Sequence, residues 1–471
     1  MEDKKEQSVF RTQKPYMEAI CKWNQEFKEK HGRARRMYCF TMGCQMNAHD
    51  SEKLTGVLTE MGYERTEKEN DADLVIYNTC CIRENAEQKV YGKLGWLNTL
   101  KKKNPELIIA LCGCMTQQDT VIEKLQKTYS FVDMIFGTFN LYKLPQLLCE
   151  RIDSGKQVID IWKEGNVIAE DMPSIRGQSF KASVNIMYGC NNFCTYCIVP
   201  YVRGRERSRN PEDIIQEVER LAADGVKEIM LLGQNVNSYG KTLDKPISFA
   251  ELLRRVNEID GIQRIRFMTS HPKDMSDELI LAMKECPKVC KNLHLPVQSG
   301  SSEVLRRMNR RYTKEKYLDL VHRVKEAMPD ITLSTDIIVG FPGETEADFQ
   351  ETLDVIREAR YYTAFTFLYS KRTGTPAAVM ENQVPEDVAK DRFDRMLDML
   401  NPLIHEVNEV QVGKTVTVLA EEISRQDEGI LTGRTEQNML VHFDGDASLI
   451  GQLVPVKIKE NKTFYFIGER I

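Results

Sequence analysis

Short apolar runs alternate with helical patterns over residues 37–150. Four runs have the length and apolar content of buried strands, and they lie at 37–42, 74–77, 107–111 and 134–136. A helical pattern at 51–61 follows the first run. Strands that alternate with helices are typical of a parallel sheet with helices on its faces. We therefore expect an α/β domain in the first third of the chain.

A second alternation of strands and helices begins at residue 182. Strand patterns occur at 182–188, 228–232, 264–269, 293–297, 332–339 and 364–369. Helical patterns lie between them at 211–223, 249–259, 314–327 and 346–359. Eight such units close a full barrel, so six units predict a partial, TIM-like (β/α)6 barrel.

The chain changes character after residue 413. One long helix is predicted at 385–410, and short β-rich runs follow at 415–421, 429–432, 439–443 and 453–458. Such runs predict a small antiparallel β-barrel, an architecture that often binds RNA.

These patterns predict an α/β chain divided into five parts. The parts are a weakly ordered extension (1–36) with a short helix near 16–27, an α/β domain (37–153), a linker (154–181), the partial barrel (182–410) and the small β-barrel (411–471).

Composition limits the class of protein. The chain has 471 residues, of which 41% are hydrophobic and 29% charged, an ordinary globular balance. It contains no run of about 18 apolar residues and no signal-peptide pattern at its start, so we expect a cytoplasmic protein with no membrane contact. The net charge of −5 means that a nucleic acid would have to be bound by local basic patches.

Thirteen cysteines are present, and in a chain of this kind clustered cysteines indicate metal binding or catalysis rather than disulfides. Cys190, Cys194 and Cys197 lie in one short loop after the first strand of the partial barrel. Structural zinc normally takes four protein ligands, whereas three thiolates on a four-iron cluster leave one iron open. A zinc site with a remote fourth ligand remains the alternative.

An open iron can bind the amino and carboxylate groups of S-adenosylmethionine, whose reductive cleavage yields a deoxyadenosyl radical. The Cys-x3-Cys-x2-Cys spacing resembles the signature of the radical S-adenosylmethionine superfamily. The segment 336–344 is similar to that superfamily's fifth-strand motif, which lies along the adenine of the cofactor. Candidate cofactor contacts are Tyr196, Gln234, Ser270, Gln298 and Asp336. The last four end predicted strands, where a polar side chain can equally serve the strand end itself.

A second set of cysteines, Cys44, Cys80 and Cys114, follows three predicted strands of the first domain. Ligands of parallel sheets sit beyond the carboxyl ends of the strands, so these thiols are expected to converge. Spacing alone is a weak signal, because Cys81 and Cys112 are rival ligands beside them.

From residue 37 to 471 the chain resembles the methylthiotransferase family. The resemblance implies an N-terminal α/β domain, a central radical domain and a C-terminal TRAM domain. It further implies two [4Fe-4S] clusters, one on Cys44, Cys80 and Cys114 and one on Cys190, Cys194 and Cys197. One S-adenosylmethionine would donate a methyl group to sulfur at the first cluster, and a second would supply the radical that opens a carbon–hydrogen bond.

The residues after Cys44 narrow the substrate. Gln-Met-Asn at 45–47 and the segment 232–239 are similar to the branch that acts on isopentenyl (dimethylallyl) adenosine 37 of tRNA, at carbon 2 of the adenine. The branch acting on a ribosomal protein has Pro-Lys-Asn there, and the threonylcarbamoyladenosine branch Lys-Val-Asn. An RNA-binding iron–sulfur protein without catalysis is an alternative of another class.

Four arginines alternate along one segment and provide candidate RNA contacts: Arg203, Arg205, Arg207 and Arg209. Alternate residues of an extended chain share a face, where guanidiniums can position phosphates. A solvated loop is the alternative, and for a second arginine run at 306–311 the solvated reading is favoured. The further partners expected are an electron donor such as flavodoxin or ferredoxin, with the chain acting as a monomer.

Overall fold

The protein folds into two units in a computed structural model that describes residues 9–81, 84–165, 167–425 and 427–471. The first unit runs to Gly177 and includes Tyr188–Asn191 and Cys197–Arg207. The second unit comprises Gln178–Met187, Asn192–Tyr196 and Ser208–Ile471. The chain therefore crosses between the units within the loop that carries Cys190, Cys194 and Cys197. Within the described ranges, no helix combines the length and apolarity needed to cross a bilayer.

The first unit contains a six-stranded parallel sheet in the order β2-β1-β3-β4-β5-β6. Its strands are β1 (Arg36–Thr41), β2 (Glu64–Arg65), β3 (Leu74–Thr79), β4 (Ile108–Gly113), β5 (Met134–Phe136) and β6 (Val158–Asp160). Its helices are α1 (Lys14–His31), α2 (Gln45–Glu60), α3 (Glu84–Lys103), α4 (Asp119–Thr128) and α5 (Leu144–Ser154). Every residue of β3 and β4 is buried, as expected for a parallel sheet covered on both faces.

The N-terminal segment differs from the prediction of a weakly ordered extension. Helix α1 spans 18 residues, and its Ile20 and Phe27 are buried against the first unit. Between them, Asn24 Nδ2 donates to the Met61 carbonyl at 2.7 Å. A stripe of only three inward positions in a charged helix is a weak sequence signal, and this explains the miss. The predicted linker likewise contains a strand, β6. Residues 1–8 lie outside the described ranges.

The second unit contains the predicted partial barrel as two three-stranded parallel sheets, β11-β10-β7 and β12-β13-β14. Its strands are β7 (Lys181–Asn185), β10 (Glu228–Leu232), β11 (Arg264–Phe267), β12 (Asn292–His294), β13 (Thr332–Val339) and β14 (Thr363–Leu368). In sequence between β7 and β10, the short strands β8 (Met187–Tyr188) and β9 (Arg207–Ser208) pair with each other. Helix α6 (Val199–Arg203) lies between them in sequence and belongs to the first unit. The remaining helices of this region are α7 (Pro211–Ala223), α8 (Phe249–Asn257), α9 (Asp277–Glu285), α10 (Ser302–Arg307), α11 (Lys314–Ala327) and α12 (Glu346–Ala359).

A long helix, α13 (Glu386–Glu409), leads into a closed five-stranded barrel of order β15-β16-β17-β19-β18. Its strands are β15 (Thr415–Ile423), β16 (Ile430–Thr435), β17 (Leu440–Asp444), β18 (Leu453–Asn461) and β19 (Phe466–Arg470). Val418, Val441 and Val456 are among its fully buried core residues. The predicted small β-barrel is confirmed.

Buried charges connect this small barrel to the first residues of β10 and β11. The Arg266 side chain donates to the carbonyls of Glu436 at 2.9 Å and Thr435 at 2.6 Å, and its Nε lies 2.9 Å from Glu228 Oε2. Arg264 donates to the carbonyls of Arg434 and Thr417, both at 2.8 Å. Burial alone would raise the pKa of Glu228, but Arg266, Lys181 and Arg264 lower it overall. Glu228 is therefore a buried carboxylate whose charge the arginines balance.

Replacing Arg266 by Met is expected to destabilise the protein by about 3–5 kcal/mol, because Glu228 loses its closest cation. Denaturant unfolding followed by circular dichroism measures this loss. The exposed Arg357→Met on α12 is the matched control and should change stability by less than about 0.5 kcal/mol. The double variant Glu228→Gln/Arg266→Met should lose less than the two single losses combined. Equal losses in Arg266→Met and the control would contradict this account.

Candidate active site

Three cysteines of the first unit follow neighbouring strands of its sheet. Cys44 comes after β1 at the start of α2, Cys80 follows β3, and Cys114 follows β4. Because β1, β3 and β4 are adjacent and parallel, their carboxyl ends share one edge. A Cβ built on Gly43, whose φ is +109°, would lie 2.8 Å from Cys80 Sγ. The absence of a side chain at Gly43 thus lets the chain before Cys44 pass directly against Cys80.

Asn47 ties these strand ends together. Its Nδ2 donates to the carbonyl of Met42 at 2.7 Å and to that of Thr79 at 3.0 Å. Its Oδ1 accepts from Arg203 Nη2 at 2.5 Å and lies 3.8 Å from Cys114 Sγ. The third residue after Cys44 therefore fixes the positions of the loops that carry all three thiols.

Arg203 is buried beside Cys114. Its Nε lies 3.3 Å from Cys114 Sγ and its Nη2 lies 2.8 Å from Asp50 Oδ2. Burial alone would lower the pKa of Arg203, but the negative charges of Cys114, Asp50 and Cys44 raise it well above its ordinary value. A permanently charged guanidinium in this position favours a thiolate at Cys114.

The pKa of the thiol distinguishes Cys114 from Cys81 and Cys112, the two other candidate ligands. A hydrogen bond from Cys81, together with the Arg203 charge, lowers the pKa of Cys114 to about 6 in spite of burial. The same hydrogen bond, with burial, raises the pKa of Cys81 well above its ordinary value. Burial also raises the pKa of Cys112, which packs among apolar core residues. Since the thiolate is the form that binds iron, Cys114 is the best suited of the three.

The loop with the other three cysteines is built partly in each unit. In the first unit, Cys190 N donates to the Gly204 carbonyl at 3.0 Å. A Cβ on Gly189 would lie 2.0 Å from the Arg205 carbonyl oxygen, so the chain before Cys190 needs glycine. Cys197 also belongs to the first unit and is partly exposed.

Cys194 belongs to the second unit, where a second buried arginine contacts a cysteine sulfur. Arg310 Nη1 lies 3.5 Å from Cys194 Sγ, and Arg310 Nη2 donates to the Pro296 carbonyl at 2.8 Å. Asn309 Nδ2 holds the loop by donating to the Asn192 and Phe193 carbonyls at 3.1 and 3.0 Å. The sequence interpretation of 306–311 as a solvated run is therefore wrong for Arg310.

The donor chemistry at Cys44, Cys80 and Cys114 suits iron–sulfur ligation. Among the residues that the structure describes, no three His, Cys, Asp or Glu side chains gather closely enough to hold a single metal ion. A four-iron cluster separates its ligands by more than a single ion does. A buried arginine beside a sulfur also offsets the negative charge that a thiolate-bound cluster brings into the protein.

Four candidate cofactor residues lie in or after strands of the second unit: Asp336 lies within β13, and Gln234, Ser270 and Gln298 follow β10, β11 and β12. Gln298 has a φ of +70°, and its backbone donates to the Asp336 carbonyl and accepts from Ile338 N, both at 2.9 Å. Asp336 Oδ1 lies 3.6 Å from His294 Nε2. Tyr196 packs beside a small apolar cluster, and Gln234 lies two residues after β10.

Ser270 and His271 follow β11, and each has a buried polar atom without a partner among the described residues, Ser270 Oγ and His271 Nε2. His271 Nδ1 accepts from the Lys273 backbone, which leaves the ring proton on Nε2. Burial, followed by the charges of Arg310 and Lys273, lowers the pKa of His271 to about 2, so the ring is neutral. These atoms fit a polar cofactor such as S-adenosylmethionine. No motif identified His271 in the sequence, because its burial depends on tertiary packing.

The four alternating arginines do not form one edge. Arg203 ends helix α6 and is buried against Cys114, so it lies outside the extended segment. Arg209 is buried, donates to the Asn185 carbonyl at 2.6 Å and pairs with Glu217 at 2.7 Å. Arg205 is exposed and Arg207 is half-buried. The prediction of a shared phosphate-binding face is therefore wrong for Arg203 and Arg209.

Comparison with known families matches three parts of the chain. Residues 184–356 match the Radical SAM superfamily, residues 36–137 match the Uncharacterized protein family UPF0004, and residues 409–471 match the TRAM domain. The superfamily match implies S-adenosylmethionine and a [4Fe-4S] cluster as cofactors.

Two curated relatives match almost the whole chain, and both are named tRNA-2-methylthio-N(6)-dimethylallyladenosine synthase. The protein of Lachnoclostridium phytofermentans is 57% identical over 96% of this chain and 99% of its own length. That of Acetivibrio thermocellus is 58% identical over 97% of this chain and 95% of its own.

Solved structures support the fold at low identity. The radical S-adenosylmethionine methyltransferase TsrM of Kitasatospora setae covers 74% of this chain and 75% of its own, with a TM-score of 0.54 and 14% identity. The cobalamin-dependent radical enzyme OxsB covers 80% of this chain and 57% of its own, with a TM-score of 0.51. On the evidence of the near full-length relatives and the three matched domains, the chain belongs to the radical S-adenosylmethionine methylthiotransferase family.

Proposed function

We propose that this enzyme adds a methylthio group to carbon 2 of the isopentenyl (dimethylallyl) adenosine at position 37 of tRNA. The single observation that carries the proposal is the identity of 57% over 96% of the chain to a relative named for this product. The residues Gln45 and Met46 support the same branch, whereas Asn47, which holds the cysteine loops, is common to all three branches.

We propose two [4Fe-4S] clusters, one held by Cys44, Cys80 and Cys114 and the other by Cys190, Cys194 and Cys197. When bound, the clusters and S-adenosylmethionine supply the methylated sulfur and the radical. The chain's own residues prepare the ligands: the hydrogen bond from Cys81 and the charge of Arg203 together lower the pKa of Cys114, and Arg310 places a fixed positive charge beside Cys194. Ser270 and His271 offer a hydroxyl and an imidazole N–H to a polar group at the strand ends.

Further parts of the proposal concern boundaries and partners. The cofactor residues of the second unit would be Tyr196, Gln234, Ser270, Gln298 and Asp336. We assign the α/β domain to residues 37–153, the radical domain to 182–410 and the TRAM domain to 411–471. We expect a cytoplasmic monomer that receives electrons from a donor such as flavodoxin or ferredoxin.

Reconstituted enzyme, given tRNA with isopentenyladenosine and S-adenosylmethionine under strong reductant, is expected to form the 2-methylthio nucleoside, as measured by nucleoside mass spectrometry. The same tRNA without the isopentenyl group is the control and should gain no methylthio group. A methylthio product on ribosomal protein or on threonylcarbamoyladenosine tRNA instead would assign the enzyme to another branch. Cleavage of S-adenosylmethionine without any product would contradict the proposal.

Replacing Cys190 or Cys194 by Ala should abolish deoxyadenosine formation and lower the iron content by about half, since a cluster loses one of three thiolate ligands. Cys286→Ala is the matched control, because that cysteine is equally buried but packs within the apolar core of the second unit. Retained deoxyadenosine in Cys190→Ala or Cys194→Ala would refute the assignment of this cluster.

Replacing Cys80 by Ala should stop methylthiolation while deoxyadenosine still forms, because only the first-unit cluster is affected. Cys81→Ala is its neighbour control and should keep the product, since the Cys81 thiol stays protonated and serves as a donor to Cys114. The reverse result, with product from Cys80→Ala and none from Cys81→Ala, would assign the ligand to Cys81.

A further inference from the structure

A small cavity of the first unit lies beside the cysteine site and has no role in the reaction as described so far. Its volume is about 50 Å³, it is partly open, and Asp50, Lys53, Phe139, Tyr188 and Arg207 are among the residues that line it. A water needs roughly 10–15 Å³ of such space, so the cavity has room for about four waters or for one tetrahedral oxyanion. The cavity is thus the size of a single phosphate group.

Arg207 lies against two aromatic rings in this cavity. Its guanidinium carbon lies 5.2 Å from the centre of the Phe139 ring and 5.8 Å from that of Tyr188. One N–H donates to the Gly165 carbonyl. A guanidinium carries five N–H donors in a fixed fork, so donors remain beyond this one bond. Two such donors can bind two oxygens of a phosphate.

The charge of Arg207 is not balanced by a carboxylate among the described residues. Its Nε is buried without a hydrogen-bond partner there. The titratable groups that act on it are Tyr188 and Arg203, and burial lowers its pKa while the side chain stays charged. A desolvated cation of this kind is costly until an anion meets it. Arg207 therefore differs from Arg203 and Arg209, whose charges are paired within the protein.

Two more charged residues line the cavity. Lys53 is a second cation of the lining. Asp50 is the acid among the five residues named, and Arg203 pairs with it at 2.8 Å. The acid of the lining is therefore already engaged by a cation within the protein.

We propose that this cavity binds one backbone phosphate of the RNA substrate through Arg207. The inference rests on the proposed function and specifies where that RNA is held. The position suits the task, because Asp50 and Arg203 connect the cavity to Cys114 in two contacts, and Tyr188 lies two residues before Cys190. A phosphate held here anchors a neighbouring nucleotide within the first unit, which also contains Cys114 and Cys190.

The test uses the reconstituted enzyme and a fluorescent anticodon stem-loop with isopentenyladenosine, followed by anisotropy over a range of salt. Arg207→Gln should weaken binding about tenfold, as expected for the loss of a charge-assisted contact. It should also reduce the slope of log affinity against log salt by about 0.7, the value for one phosphate of a single strand. Arg207→Lys should keep the slope and lose part of the affinity, since it retains charge but not the fork.

A second arm locates the phosphate. A set of stem-loops is used, each with one uncharged methylphosphonate linkage at a different loop position. At every position but one, the linkage should change the affinity of Arg207→Gln by as much as it changes that of wild type. At the remaining position, wild type loses affinity and the variant shows no further loss. The matched control variant is Arg357→Gln on α12, an exposed arginine paired with Asp354, and it should leave affinity and slope unchanged.

The outcomes separate this inference from the proposed function. Equal affinity and slope in wild type and Arg207→Gln would overturn the phosphate site, even if wild type makes the methylthio product. If inorganic phosphate alone protects wild type but not Arg207→Gln from heat while RNA binding is equal, the cavity takes free phosphate and the RNA assignment fails. Absence of methylthio product from wild type would instead contradict the proposed function. The slopes of log affinity against log salt for wild type and Arg207→Gln would still show whether the cavity binds a phosphate of the RNA.

Discussion

A buried guanidinium against a cysteine sulfur is the contact around which the candidate site of each unit is built. Arg203 meets Cys114 in the first unit and Arg310 meets Cys194 in the second, at 3.3 and 3.5 Å. A charged arginine cannot release its proton, so a buried one is tolerated only where negative charge balances it. In the first unit, the hydrogen bond from Cys81 and the charge of Arg203 lower the pKa of Cys114 and favour the thiolate, which is the form that binds iron. The rest of the first-unit site, from Asp50 to Asn47, serves to hold Arg203 in this position.

The elements were predictable where the sequence pattern is local. Strands and helices alternate with clear periods, and the predicted strand ends alone put Cys44, Cys80 and Cys114 at one edge of a sheet. A short helix is predicted near 16–27, but the full length of α1 and its packing are not, because its inward stripe is short and lies among charged residues. The burial of α1 depends on the surface of the first unit against which it packs, and the sequence of the helix itself does not describe that surface.

Arginine roles were the least predictable part of the site. The four alternating arginines look alike in the sequence, yet their surroundings differ. Arg203 contacts a thiol, and Arg209 pairs with a carboxylate. Arg205 is exposed, and Arg207 lies against aromatic rings. The same holds for Arg310, which shares a run with exposed neighbours. The contacts of a guanidinium depend on residues that are distant in sequence, and the spacing of arginines along the chain does not predict those contacts.

The attachment of the small barrel has a consequence for how the protein can be dissected. Arg264 and Arg266 satisfy their donors on carbonyls of β15, of β16 and of the turn after it, and both belong to β11, the strand that also leads to Ser270 and His271. Deleting the C-terminal barrel would leave these two arginines at the start of β11 without their carbonyl partners. A truncated chain would therefore lose folding stability in the second unit. Loss of activity in such a chain could not be assigned to weaker RNA binding.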